Sequence, residues 1–344
     1  MKNALLLTLL VVILSSCNTI NYINIETHKP AEITFPSRVN TILIVNNAVP
    51  QPEKVGYEYK YMNATQDTAR AKADSALFDA GRALGLAILE TDYFSDVRLF
   101  NESTRTDDQY ITDKKLTKET VQTLCEETQT DAIISIDRLL FDMTKVVTAM
   151  PNGFFVGFIN VKIAGVIRAY LPERNNSLAT VFLNDSVFWA EEGGSLEELN
   201  AYLPSPENAL REAAKYIGEL ASPNFVPHWQ NEMRWFYTGP TTEWKRATAY
   251  ANTQRWDAAE SVWLSMFEKI TNEKNKAKIA SNLAFAKEMQ GDYQEALKWA
   301  EKARDFFKNK GDDSKDANLL EQYVIVLKER IKENKVLNIQ FEET

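Results

Sequence analysis

The stretch Ala132–Leu171, AIISIDRLLFDMTKVVTAMPNGFFVGFINVKIAGVIRAYL, decides the fold. At its centre stands Asn152-Gly153, a pair suited to the left-handed backbone of a tight hairpin turn. After the turn Phe155, Ile159, Val161, Ile163 and Ile167 share one parity, and Asn160, Lys162 and Arg168 share the other. Side chains alternate across a strand, so this arm has one face on a core and one towards water. The arm Ala132–Ala149 precedes the turn. A third extended stretch, Ala179–Trp189, follows another turn at Asn175-Asn176. Asp137 and Asp142 on the first arm have opposite parity, which predicts opposite faces and no cooperation between them. A hairpin inserted in lipid would need an apolar outer side, and Lys162 and Arg168 oppose that reading.

Upstream, Asn40–Val49 (NTILIVNNAV) carries the apolar run Ile42, Leu43, Ile44 and Val45, a buried strand ended by Pro50 and Pro52. Residues 67–90 repeat Leu77, Ala80, Leu84 and Ile88 at helical spacing. YFSDVRLF (Tyr93–Phe100) alternates as a strand, and residues 117–128 read as a helix. Downstream, Ser195 with Glu198 three residues on fits a capping box. Ser205 followed by Pro206 opens another helix, reaching about Leu220. The order β-α-β-α-β-β-β-α predicts an α+β domain over residues 39–222. Its mixed, largely antiparallel sheet would have helices mainly on one face. That order resembles the small α/β domain of several periplasmic lipoproteins, the curli secretion lipoprotein among them.

From residue 241 to 335 the pattern is wholly helical. Gly291–Ala303 (GDYQEALKWAEKA) resembles the second half of a tetratricopeptide repeat, with Gly291, Tyr293 and Ala296 at its small and aromatic packing positions. An earlier copy places Tyr250 in its first helix and Trp256 and Ala259 in its second. Gln254 stands there where glycine is preferred, and Met266 where alanine is. From Ala259 to Ala296 the offset is slightly longer than the usual period of about 34. A capping helix is expected over 316–333, with residues 336–344 as a tail. Two repeats plus a cap fall short of the roughly three normally needed alone, so packing on the first domain is expected. The joint would be residues 223–240. There Trp235, Phe236 and Tyr237 are consecutive, and a helix could not bury all three on one face.

At the amino terminus, Lys2 precedes an apolar run from Ala4 to Leu14, too short to span a bilayer and suited to a secretory signal. Leu14-Ser15-Ser16-Cys17 then resembles the lipobox of bacterial lipoproteins. The resemblance implies that residues 1–16 are removed as a signal peptide. It also implies acyl chains on Cys17 and a tether over 17–38. Asn18 and the absence of an acidic cluster point to an outer-membrane anchor facing the periplasm. The whole chain resembles Gram-negative envelope lipoproteins that join an α/β part to helical repeats, a resemblance that carries no activity with it.

A net charge of −9 argues against a nucleic-acid partner, which needs a basic patch for phosphates. Two cysteines, one of them Cys17, leave Cys125 without a bridging partner; it reads as a small buried hydrophobe. Phosphate loops, G-x-S-x-G, H-E-x-x-H and paired CxxC are all missing from the sequence. His28 and His228 are the only histidines, and no cofactor or metal site is expected. The expected function is a non-enzymatic scaffold that takes a protein partner through its helical repeats. Trp235, Tyr237, Trp244, Tyr250 and Trp263 are the candidate contacts. The alternative is a glycan binder using the same aromatic residues. An enzyme of unrecognised type ranks behind both. Exposure of Trp235, Trp244 and Trp263 separates the first two. The sequence sets no oligomeric state.

Overall fold

A computed structural model describes residues 20–62, 64–65, 70–308 and 315–342. The expected signal segment 1–16, Cys17 and the start of the helix expected from residue 67 lie outside the described residues. The fold is α+β, a mixed sheet with helices followed by an all-helical region. The chain divides into two compact units. One comprises residues 30–228 and 339–344, and the other residues 1–29 and 229–338.

In the α/β unit the chain order is β2 (Thr41–Asn46), β3 (Tyr57–Tyr61), β4 (Ala64–Thr65), α1 (Asp74–Leu89), β5 (Asp96–Ser103) and α2 (Lys118–Thr128). The long strands β6 (Ala132–Ala149), β7 (Phe155–Tyr170) and β8 (Ala179–Gly193) follow, and then α3 (Leu196–Tyr202) and α4 (Pro206–Ala221). Strand β6 organises the sheet. One edge pairs antiparallel with β7 along its length, and β7 pairs antiparallel with β8. The other edge takes two strands in succession: Ala132–Ile136 run parallel to β2, and Met143–Val147 run parallel to β3. Strand β5 lies parallel on the far side of β2.

Strand β2 is apolar in both parities because both its faces are covered. Ile42 and Ile44 enter the main core with α1, α3 and α4; Leu43 and Val45 meet α2 on the reverse face. Cys125 is buried there among Leu43, Ile133 and Tyr170, and burial pushes its thiol pKa up. Small residues set the helix spacing: an added Cβ at Gly218 of α4 would clash with the Ala80 carbonyl of α1. The predicted caps form, with the Ser195 hydroxyl accepting from the Glu198 N–H at 3.1 Å and that of Ser205 from the Asn208 N–H at 3.3 Å.

The register of β6 shifts between Ile136 and Arg138. Before the shift Ala132, Ile134 and Ile136 face the main core; after it Leu139, Phe141 and Met143 do. Such a bulge inserts one residue and reverses the parity. Asp137 and Asp142 therefore share a face, contrary to the expectation of opposite faces. They remain apart in role, because Asp142 is exposed beside Lys162 at 3.6 Å and Asp137 is fully buried. Arg168, expected towards water, is 5% exposed.

The helical unit begins with β1 (Ile20–Lys29), where the sequence reading had placed a tether. It pairs with β9 (His228–Tyr237), in the stretch expected as a joint. Two helical hairpins follow: α5 (Thr242–Asn252) with α6 (Trp256–Lys269), and α7 (Glu273–Met289) with α8 (Tyr293–Lys308). The two hairpin turns are superposable in their bonding. Gln254 N–H donates to Ala251 O and Arg255 N–H to Tyr250 O; Gly291 N–H donates to Glu288 O and Asp292 N–H to Lys287 O. Gln254 and Gly291 both hold positive φ, +57° and +80°. Helix α9 (Lys315–Glu342) runs on through most of the expected tail. Its Gln340 side chain bonds both the N–H and the carbonyl of Ala31.

Candidate functional site

Most of the aromatic residues expected to contact a partner lie in the core of the helical unit. Trp263 and Tyr237 are fully buried and Trp244 is 5% exposed. Trp235 is half-buried against Tyr323, ring centroids 5.3 Å apart, and its indole nitrogen is enclosed. This corrects the expectation for Tyr237 and Trp263, whose large rings fill the interior of the unit; Trp244 keeps only an edge in the wall of a cleft beside its helix. The glycan reading asks for exposure of Trp235, Trp244 and Trp263; two of the three are buried and Trp235 stays partly exposed. Phe236 and Tyr237 are buried together because their segment is a strand, and at its end both faces are covered in this unit. Tyr250, partly exposed like Trp235, lies under the Arg255 guanidinium at 4.8 Å. Among the repeat positions, Ala259 and Ala296 are fully buried, and Trp256 packs edge-on against Phe285. Tyr293 lies under Arg330, and Gly291 is exposed, its Cβ direction open, so it serves the turn rather than packing.

Each unit holds a buried charge cluster that sequence reasoning did not assemble. In the α/β unit the Asp137 carboxylate accepts from Asn47 Nδ2 (3.0 Å), Ser135 Oγ (2.7 Å), Arg168 Nη1 (2.6 Å) and Tyr170 OH (2.9 Å). Burial pushes this carboxyl above the usual carboxylate range, while the four donors pull it down. Arg168 also pairs with Asp113, and Asn47 Nδ2 donates to Lys114 O, so the cluster fastens segment 104–116 over the sheet. In the helical unit Arg234 grips both oxygens of Glu288 at 3.0 and 3.1 Å and also pairs with Glu232. Tyr323 OH donates to Glu288, and Lys29 joins Glu232 to Glu333. Every carboxylate named here has a cation or hydroxyl beside it, and both clusters tie strands to neighbouring segments. A sequence signal existed for the second, since Arg234 and Glu232 hold the inward parity of β9.

Two open clefts flank α5. One, about 370 Å³, is lined by Trp244, Arg246, Val262, Met266, Lys269 and Ile270 among others. The second, about 490 Å³, is lined by Ile20, Asn21, Thr238, Lys245, Thr248 and Asn252 with their neighbours. Each joins apolar side chains to a cationic one. Among the described residues no group of three or more His, Cys, Asp or Glu side chains is placed to hold a metal ion. The His28 ring stacks on Trp229 of β9 at 4.6 Å.

A family model described as a domain of unknown function, DUF8603, matches residues 39–237, more than half of the chain. The chain belongs to the DUF8603 family. The matched span takes in the whole seven-stranded sheet of this DUF8603 protein and continues through β9. A second model, the domain of unknown function DUF6340, matches residues 245–329, from within α5 into α9. No curated protein matches the chain.

Proposed function

We propose that this protein is a lipid-anchored envelope scaffold, non-enzymatic, whose helical unit receives a protein partner. The observation that carries the reading is the pair of clefts on either side of α5. Val262, Met266 and Ile270 give one of them an apolar floor, and Arg246 and Lys269 against the single carboxylate of Glu243 give it a positive balance. A segment with alternating apolar and acidic side chains fits that lining, in the manner of a peptide laid in a groove. The anchor is the acylated Cys17 of the lipobox, in the outer membrane and facing the periplasm. The overall negative charge offers nucleic acid no footing.

The test compares the wild-type protein, purified from membranes with its lipid, with an Arg246→Glu/Lys269→Glu variant. Both positions border open solvent, so the fold tolerates the change. A protein recovered with wild type and lost with the variant supports the reading. Identical recovery from both, or no partner from either, overturns it.

A further inference from the structure

Only Asn18 and Thr19 separate Cys17 from Ile20, the first residue of β1. Three extended residues span at most about 11 Å. A bilayer of roughly 40–45 Å has a hydrocarbon core of about 30 Å, which leaves some 6 Å of polar layer on each side. With acyl chains on Cys17, the start of β1 is held at the depth of the lipid headgroups. The helical unit is therefore held at the membrane by a folded strand, not by a long tether.

The two faces of the β1–β9 sheet differ. Ile23 and Ile25 of β1, with Arg234 and Phe236 of β9, turn into the unit. The opposite parity presents Tyr22, Asn24, Glu26 and His28 on β1 and Trp229, Asn231 and Met233 on β9, while Trp235 and Tyr237 at the end of β9 are covered within the unit. Three of these are large apolar residues open to solvent: Tyr22 at 51%, Trp229 at 67% and Met233 at 64%. The stacked rings of His28 and Trp229, only 14° from parallel, hold the indole on this face. Tyr and Trp are the side chains that favour the membrane–water interface, an apolar body with a polar tip.

We infer that the outward face of the β1–β9 sheet, through Tyr22, Trp229 and Met233, is seated in the headgroup layer of the membrane that holds Cys17. The occupant of this face is lipid, because the attachment point lies within reach of the strand that bears it. The inference rests on the lipid anchor. Its consequence is orientation: the acyl chains hold the protein, and the face fixes which side of the helical unit meets the bilayer.

The experiment uses the full lipidated chain reconstituted in phosphatidylcholine vesicles whose acyl chains carry bromine near the headgroup. Wild-type tryptophan emission is quenched, Trp229→Ala loses most of that quenching, and Trp189→Phe, on β8, keeps it. Met233→Glu lowers the quenching while the circular dichroism stays that of wild type. Mass spectrometry of the N-terminal peptide reads the anchor separately. Acylated Cys17 with unquenched emission, or equal quenching in Trp229→Ala, overturns this inference and leaves the anchor standing. Unmodified Cys17 overturns both. Protection of Trp229 in a detergent-solubilised dimer assigns the face to a second copy and overturns the inference as well.

Discussion

Gln254 closes the first helical hairpin with a left-handed backbone that glycine adopts at no cost, as Gly291 does in the second. A left-handed L-residue costs roughly 1–2 kcal/mol, and a glycine returns part of that through chain entropy. Gln254→Gly is accordingly expected to raise stability by about 0.5–1 kcal/mol, read as a higher urea midpoint at constant slope. Asp137 stands at the other extreme. Its removal leaves the Arg168 guanidinium buried with only Asp113 beside it, and Asp137→Ala should cost about 3 kcal/mol. The paired change Asp137→Leu/Arg168→Met should recover most of the loss, since two apolar groups need no partner. A double variant as unstable as the single one would remove the ion pair from that account.

Helices α1 and α4 approach so closely that Gly218 meets the Ala80 carbonyl. Gly218→Ala forces the pair apart, and overpacking of this kind costs about 1–3 kcal/mol, measurable by thermal unfolding. Much of the element order was legible in the sequence. The parity of Ile159, Val161, Ile163 and Ile167, the caps at Ser195 and Ser205, and the small residues of the second hairpin each follow from local chemistry. Three features escaped. The bulge at Asp137 left a visible trace, for the apolar parity passes from Ile134 and Ile136 to Leu139 and Phe141; a single alternation carried through the strand misses it. The placement of α2 opposite α1 and α4 depends on β2 being covered on both faces, which an all-apolar run does not specify. Strand β1 alternates Ile23, Ile25 and Thr27 with Asn24 and Glu26, yet its partner lies far along the chain, and the flanking Pro30 favours reading a tether. The site was less legible still. A tryptophan has the same sequence signature whether it fills a hairpin core, as Trp263 does, or stands open, as Trp229 does.

At the scale of the whole molecule, the proposed anchor predicts attachment through hydrocarbon rather than through charge. The chain carries −9, and several acyl chains each contribute on the order of 0.8 kcal/mol per buried methylene. Washing membranes with about 1 M salt, where charges are screened beyond some 3 Å, should leave the protein in place, and detergent should release it. Cys17→Ser should move it to the soluble fraction; persistence of that variant in the salt-washed pellet would refute the anchor.

The pairing of β1 with β9 also dictates the order in which the molecule is completed. Strand β1 is made early, and its partner follows about two hundred residues later, a closure costing on the order of 5 kcal/mol in chain entropy. The whole seven-stranded sheet is made in the interval. Until β9 and the helices after it are made, Ile23 and Ile25 have nothing to cover them, so the first strand of the chain waits for the rest of its unit. A nascent chain arrested before Trp229 would thus carry all seven strands of the large sheet and a sticky amino-terminal strand, a state with apolar surface for a chaperone to hold.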